Sequence, residues 1–468
     1  MTDVLDADIA AFRAGLAGSV VMAGDSDYEA VRAECIWNGN IQSRPWMIVR
    51  CSSAEDVAAT IAFARASGKE LSVRGGGHGF SGACAADQGV MIDLGPMAEV
   101  TIDPAAMRAR CGGGTRWAQL DAAAQEHGLA TPGGFISHTG VAGLTLGGGM
   151  GWLTRKAGLS CDNVTAVEIV TADGRILRAA ADENPDLFWA VRGGGGNFGV
   201  VTSFEFQLHR EGPMVELALF FWDLDGGGAA FRAARDLVPS LPDDISMFLA
   251  GLNAPPAPFV PEEHQLKPGY AVLLVGHGSA EEHTRAVDQL RRAAPPLFEF
   301  MTPIPFVGLQ QMFDESAPWG IQGYEKAVYL DELTDDAIDV IVRHMPAKAS
   351  PMSFMPIFVL GGEYARRAEG DTAFGGSRST MYVLNIAAVA PTLELLEADR
   401  EWVQRMWSDL VPYAEGIGSY VNFMADYEED RIRAAYGPDK YARLAAIKAA
   451  YDPDNVFHHN ANIRPAAS

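Results

Sequence analysis

The stretch Val73-Arg74-Gly75-Gly76-Gly77-His78-Gly79 constrains this chain more than any other. Consecutive glycines take positive φ and let backbone approach a ligand with no Cβ in the way. Successive amide N–H groups in such a turn make a nest for an anion. A histidine directly after the nest lies beside whatever the nest holds. An apolar run at Leu71 leads into it, so the segment reads as a cofactor loop with a nucleophile attached. The competing reading is a tight turn carrying a solvated histidine.

At 468 residues the chain is long enough for two domains with a real core. Its formal charge of −24 argues against nucleic acid or an anionic membrane as partner. Met1 is followed by Asp3, Asp6 and Asp8, not by a basic and then apolar leader, so no secretory signal is expected. No apolar run reaches the length of a membrane span. Cys35, Cys51, Cys84, Cys111 and Cys161 form no C-x-x-C pair and are odd in number. That suits reduced thiols and a cytoplasmic location.

Ser52-Ser53-Ala54-Glu55 reads as a capping box, opening a helix that stops near Gly68. Residues 71–73 and 90–94 read as strands. Residues 165–170 and 175–177 flank Asp173-Gly174, a hairpin signal. Pro185 opens a short helix, and residues 200–208 alternate as a half-buried strand. Beyond Gly212-Pro213 the glycine clusters thin out. Strands are expected at 217–222, 270–275, 327–330, 353–360 and 381–387, with helices at 335–344 and 391–410. This pattern predicts a sheet with helices on one face. Residues 254–268, rich in proline, read as a loop. Residues 420–423 precede a helix near 440–451.

Gly194-Gly195-Gly196-Asn197-Phe198-Gly199 matches G-x-G-x-x-G. A helix precedes it and a strand follows, the inverse of what a nicotinamide-dinucleotide site requires, so that reading is rejected. The segment is either a second glycine loop against a cofactor or a tight helix-to-strand turn. The tract from Thr131 to Gly151 is richer still, with Gly133, Gly134, Gly140, Gly143, Gly147, Gly148, Gly149 and Gly151. Close packing of backbone along a planar ligand calls for such a tract. His458-His459 would point in opposite directions on an extended chain. With no H-E-x-x-H or paired C-x-x-C, no metal site is expected. No G-x-S-x-G starts a serine nucleophile.

These tracts, with Leu159-Ser160-Cys161-Asp162-Asn163, 187–195, 197–201 and Tyr451-Asp452-Pro453, resemble flavoenzymes of the vanillyl-alcohol-oxidase and berberine-bridge type. The resemblance is strong over 40–210 and 415–465 and loose between. It implies FAD, with the diphosphate wrapped by Arg74, Gly75, Gly76, Gly77 and Gly79, and His78 bonded to the flavin 8α-methyl. It adds Thr139, Gly140, Gly143, Gly147, Gly148, Gly149, Gly199, Val200, Val201 and Asn462 to the cofactor wall. Bicovalent members carry a cysteine where this chain has Ile136, so one link is expected, not two. Thr139 and Leu144, with His138 beside them, resemble an oxygen pocket in which a modest side chain admits O2. Tyr420 and Asn422 resemble an active-site strand, with Tyr420 a base if its pKa is lowered. Tyr382 and Met355 are candidates for the substrate pocket. Each of these also has a plain packing reading.

The expected fold is α+β, a two-domain PCMH-type FAD-binding fold. Residues 1–210 and 416–468 would form a discontinuous FAD domain. Residues 211–415 would form an α/β substrate domain, an antiparallel sheet covered by helices. The leading function is an FAD-dependent oxidase that takes a hydride from a small organic or natural-product substrate at flavin N5 and passes electrons to O2, giving H2O2. Alternatives are a flavin-N5-oxide oxygenase, a dehydrogenase with another acceptor, and a silent flavin carrier. The resemblance also allows a homodimer.

Overall fold

The computed structural model describes residues 2–414, 416 and 418–467, with side chains from residue 8 onward. Residues 1, 415 and 468, expected ends of domains, lie outside the described residues.

Leu71–Arg74 pairs in parallel with Val90–Asp93, which pairs in parallel with Met47–Arg50; Ser19–Met22 closes the sheet antiparallel. Helix Ala54–Ala66 covers it and ends before Gly68, whose φ is +62°. Its cap is one residue later than the sequence spacing indicated. Ser53 Oγ accepts from Asp56 N at 3.2 Å. Asp56 is held by the backbone N–H groups of Ala17, Gly18 and Ser52, each at 2.9 Å, which sets the frame.

A second, antiparallel sheet runs in the order Val100–Asp103, Arg108–Gly112, Val200–Gln207, Val164–Val170, Ile176–Ala180. The expected Asp173-Gly174 turn joins its last two strands, with Gly174 at φ +82°.

The third sheet has seven antiparallel strands: Phe298–Pro305, Met214–Asp223, Pro268–Gly276, Ile245–Asn253, Met355–Val359, Tyr382–Ala390 and Gln322–Leu330. Two of these are absent from the sequence reading. Ile245–Asn253 is apolar on both faces and shows no alternation. Phe298–Pro305 contains two prolines and lies at the sheet edge, where a missing N–H is tolerated. Helices Gly227–Leu237, Ala280–Ala293, Asp335–His344 and Leu393–Leu410 cover one face of the sheet and bury the largest apolar cluster. Burying each such side chain contributes about 1.5–3 kcal/mol. The other face turns toward the glycine tracts.

Helix Glu429–Tyr451, kinked at Gly437 (φ +69°), packs on the second sheet and on Pro185–Val191. Near its end Lys448 is fully buried and donates to Asp452 Oδ2 at 2.6 Å, Asn197 O at 2.7 Å and Phe457 O at 2.8 Å. This cation pins the C-terminal segment against the glycine loop 194–199.

Candidate functional site

Between the glycine tracts and the open face of the large sheet lies a cavity of about 1090 Å³. Three glycine-rich segments reach its wall: Gly75, Gly76, Gly77 and Gly79 from the strand end at Arg74; Gly140, Gly143 and Gly147, which cap and enter the short helix Val141–Leu146; and Gly195, Gly196 and Gly199. They serve two physical purposes. Gly76 and Gly140 are forced by contact, since a Cβ on either would sit 2.3–2.4 Å from the other's backbone. Gly79, Gly143 and Gly196 instead meet almost nothing: a Cβ there has no neighbour nearer than 3.8 Å. Those positions face the cavity and leave it open for backbone to meet a ligand. Thr139, Val200 and Val201 also line the wall.

His78 lies at the wall between aromatic neighbours. Its ring stacks on Trp37 at 4.7 Å and 19°, and Trp319 meets it edge-on. His78 Nε2 shares a hydrogen bond with His138 Nδ1 at 2.7 Å. Burial, and then the neighbouring His138, hold the His78 imidazole well below the usual histidine range. The ring is therefore neutral at physiological pH. Among the described residues its Nδ1 has no hydrogen-bond partner. His138 stands behind His78 and is not on the cavity wall. The loop carrying it is tied across the molecule, with Ser137 N and Oγ donating to Asp314 at 2.8 and 2.6 Å.

Several expected wall residues lie elsewhere. Arg74 is buried; its Nη1 donates to Asp93 Oδ1 at 2.9 Å and its Nη2 to Glu34 O at 3.2 Å. A buried guanidinium requires such partners, and it braces the loop from outside the cavity wall. Gly148 and Gly149 pack behind the wall against Phe374 and Ser160. Asn462 is off the wall, while Asn460 and Ala461 are on it. Met355 and Tyr382 lie under the helices. The period of two along a strand decides this: Phe354, Pro356 and Phe358 face the cavity, so Met355 faces away.

Tyr420 and Asn422 do line the cavity, but Tyr420 caps and Asn422 lies within a single 3₁₀ turn, Val421–Phe423, and neither is on a strand. The Tyr420 hydroxyl accepts from Gly149 N at 2.7 Å and from Asn422 Nδ2 at 2.8 Å. Asn422 Nδ2 also donates to Leu144 O at 2.9 Å. The pair braces the glycine tract. Burial pushes the Tyr420 phenol well above the usual tyrosine range, so the lowered pKa required of a tyrosine base is not met.

A different acid occupies the wall. Glu325 and Asn385 project from neighbouring strands of the large sheet, with Asn385 Nδ2 donating to Glu325 Oε2 at 2.8 Å. Both side chains are buried, and among the described residues Glu325 Oε1 and Asn385 Oδ1 have no partner. Burial pushes the Glu325 carboxyl up to about 8. Sequence reasoning missed both. The available signal was weak, because Glu325 and Lys326 stand side by side in the strand Gln322–Leu330 and read as an ordinary charged pair.

His458 and His459 do not diverge as an extended chain would require. Their rings lie 4.8 Å apart, and their Nε2 atoms meet Glu70 Oε2 at 2.6 and 3.2 Å. The chain bends here, with Asn455 at φ +52° and Asn460 N donating to His458 O.

The glycine-lined cavity, with a neutral imidazole on its wall, has the room and the exposed backbone donors to hold a large cofactor. The family model described as "FAD binding domain" matches residues 45–180, and "Berberine and berberine like" matches 419–464. (R)-6-hydroxynicotine oxidase of Paenarthrobacter nicotinovorans is 33% identical over 96% of this chain and 97% of its own. The solved 6-hydroxy-D-nicotine oxidase from Arthrobacter nicotinovorans superposes with TM-score 0.85 at 27% identity, covering 97% of this chain and 99% of that one. The glucooligosaccharide oxidase of Acremonium strictum, whose FAD is 6-S-cysteinyl and 8α-N1-histidyl, superposes with TM-score 0.86 at 22% identity, covering 98% of this chain and 100% of that one. This chain belongs to the berberine-bridge-like family of FAD-linked oxidoreductases and has its α+β, PCMH-type fold. Among the described residues no helix is long and apolar enough to cross a membrane.

Proposed function

We propose that the protein is an FAD-dependent oxidase carrying its cofactor on His78 alone. Residues 1–210 and 416–468 form the FAD domain, and 211–415 the substrate domain. FAD, held by His78 and the backbone amides of the glycine segments, would supply the hydride acceptor at N5, with O2 as the final electron acceptor giving H2O2. The observation that carries this reading is the state of His78: neutral, on the wall, with Nε2 held by His138 and Nδ1 free. The His78 tautomer that donates from Nε2 to His138 leaves the Nδ1 lone pair as nucleophile. Ile136, also on the wall, offers no thiol for a second link.

Backbone amides of the three glycine loops hold the dinucleotide; no lysine or arginine among the described residues lines the cavity. Thr139 and Leu144 border the same space with modest side chains, which supports access by O2. Glu325 replaces Tyr420 as the proton acceptor. Its unpartnered Oε1 is placed to take a proton from a substrate O–H or N–H as hydride leaves.

The test is acid precipitation followed by mass measurement of the peptide containing residue 78. A mass increase equal to FAD, abolished by His78→Ala, supports the link; yellow supernatant over colourless protein refutes it. Stoichiometric peroxide marks an oxidase. Labelled oxygen from O2 found in the product would make the enzyme an oxygenase.

A further inference from the structure

The cavity does not end with the glycine loops. It continues across the exposed face of the large sheet, where alternate residues of five strands contribute Leu219, Phe248, Ala250, Leu273, Phe300 and Phe358. Aromatic rings packed on this face also bound the chamber. Phe135 meets Phe358 with ring centroids 4.8 Å apart, and Phe313 meets Phe248 at 5.3 Å. The loop after Ile245–Asn253 closes the outer end, with Phe259 stacked on Phe300 at 4.4 Å. Leu266, on the same loop, lines the cavity and is 58% exposed, so the entrance is also apolar.

Two exclusions follow. With no lysine or arginine on the wall among the described residues, an anionic substrate has no counter-charge. An oligosaccharide would bring many hydroxyl groups against a sheet face that is mainly apolar and would leave most of them unpaired. Asn253, Thr302, Glu315 and Ser316 also reach the wall, but Glu325 Oε1 and Asn385 Oδ1 are buried oxygens with no partner among the described residues. Once the Glu325 carboxyl is ionised, above about pH 8, both oxygens accept and select a donor on the ligand.

We propose that the substrate is a neutral, multi-ring or extended aromatic molecule carrying one O–H or N–H donor, its apolar body filling the chamber and its donor meeting Glu325 Oε1 and Asn385 Oδ1. This rests on the flavin reading above, which identifies the cavity as the active site.

Equilibrium dialysis of the purified holoprotein against 2-naphthol tests the proposal without using turnover. Saturable binding of one equivalent is expected. 2-Methoxynaphthalene, which lacks the donor, should bind at least about tenfold more weakly, the cost of leaving buried acceptors unmet. Cellobiose in excess should not displace the naphthol. Ala250→Glu, on the chamber floor, should abolish binding; Phe300→Ser, half-buried at the sheet edge, keeps the test decisive if the first variant does not fold. Displacement by cellobiose, equal binding of the methyl ether, absence of saturable binding, or unchanged binding in Phe300→Ser would each overturn the proposal. Failure of the flavin reading looks different: the protein would be colourless and the peptide containing residue 78 would have its unmodified mass.

Discussion

Glu325→Gln isolates the most consequential side chain of the cavity. The carboxyl is buried, accepts one hydrogen bond from Asn385, and has its pKa raised from 4.5 to about 8. A raised carboxyl pKa means that the folded chain binds the proton more tightly than the unfolded chain. Stability from this group is therefore complete below the unfolded value and is lost as pH rises through about 8. At about 1.36 kcal/mol per pKa unit, integration gives a loss of roughly 4 kcal/mol between pH 5 and pH 9. Solvent relaxation around the ionised group makes that a ceiling. Glutamine keeps the shape and never ionises. The variant should differ from the parent by under about 1 kcal/mol at pH 5 and be more stable by about 2–4 kcal/mol at pH 9. Urea unfolding across that range, read as a shifted midpoint at constant slope, measures the difference. Activity gives a second signature. The parent's kcat/KM should rise with pH through about 8, whereas the variant should lose that limb and about 10²–10⁴ in rate. Parallel stability curves would refute the buried, half-paired acid. A retained pH limb in the variant would place the proton acceptor elsewhere.

Other expectations follow from the same geometry. Gly143→Leu should fold with near-parental stability, because nothing lies within 4 Å of its Cβ, yet fail to load FAD, as absorbance at constant circular dichroism would show. Gly76→Ala, driven into the Gly140 backbone, should instead lose about 2–3 kcal/mol in urea unfolding. His138→Ala should slow attachment at His78 without preventing reversible FAD binding, with partial rescue by His138→Gln; the mass of the residue-78 peptide over time measures it. Lys448→Met strands the buried Asp452 carboxylate and should cost about 3–5 kcal/mol, read from the unfolding midpoint.

Much of the outline was legible in the residues. The strands at Leu71–Arg74 and Val90–Asp93 announce themselves by short apolar runs between turns, and Asp173-Gly174 specifies its own hairpin. What escaped was of two kinds. Ile245–Asn253 carries no alternation because both its faces are buried. Strand parity misplaced Met355 and Tyr382, since a shift of one residue turns every side chain to the other face. Local pattern says that a strand exists; it does not say which side the cavity is on.

The amino-acid order alone determined that this chain would bend tightly at three glycine tracts and present an imidazole directly after the first, because backbone freedom without a Cβ is a local property. Tertiary structure decided what those tracts enclose. It set His138 on His78, drew Arg74 away to Asp93, turned the Tyr420 hydroxyl into an acceptor for Gly149, and buried Glu325 beside Asn385. Each of these depends on partners 19 to 271 positions apart in the chain, and on burial that exists only once the sheets and loops have closed around one another.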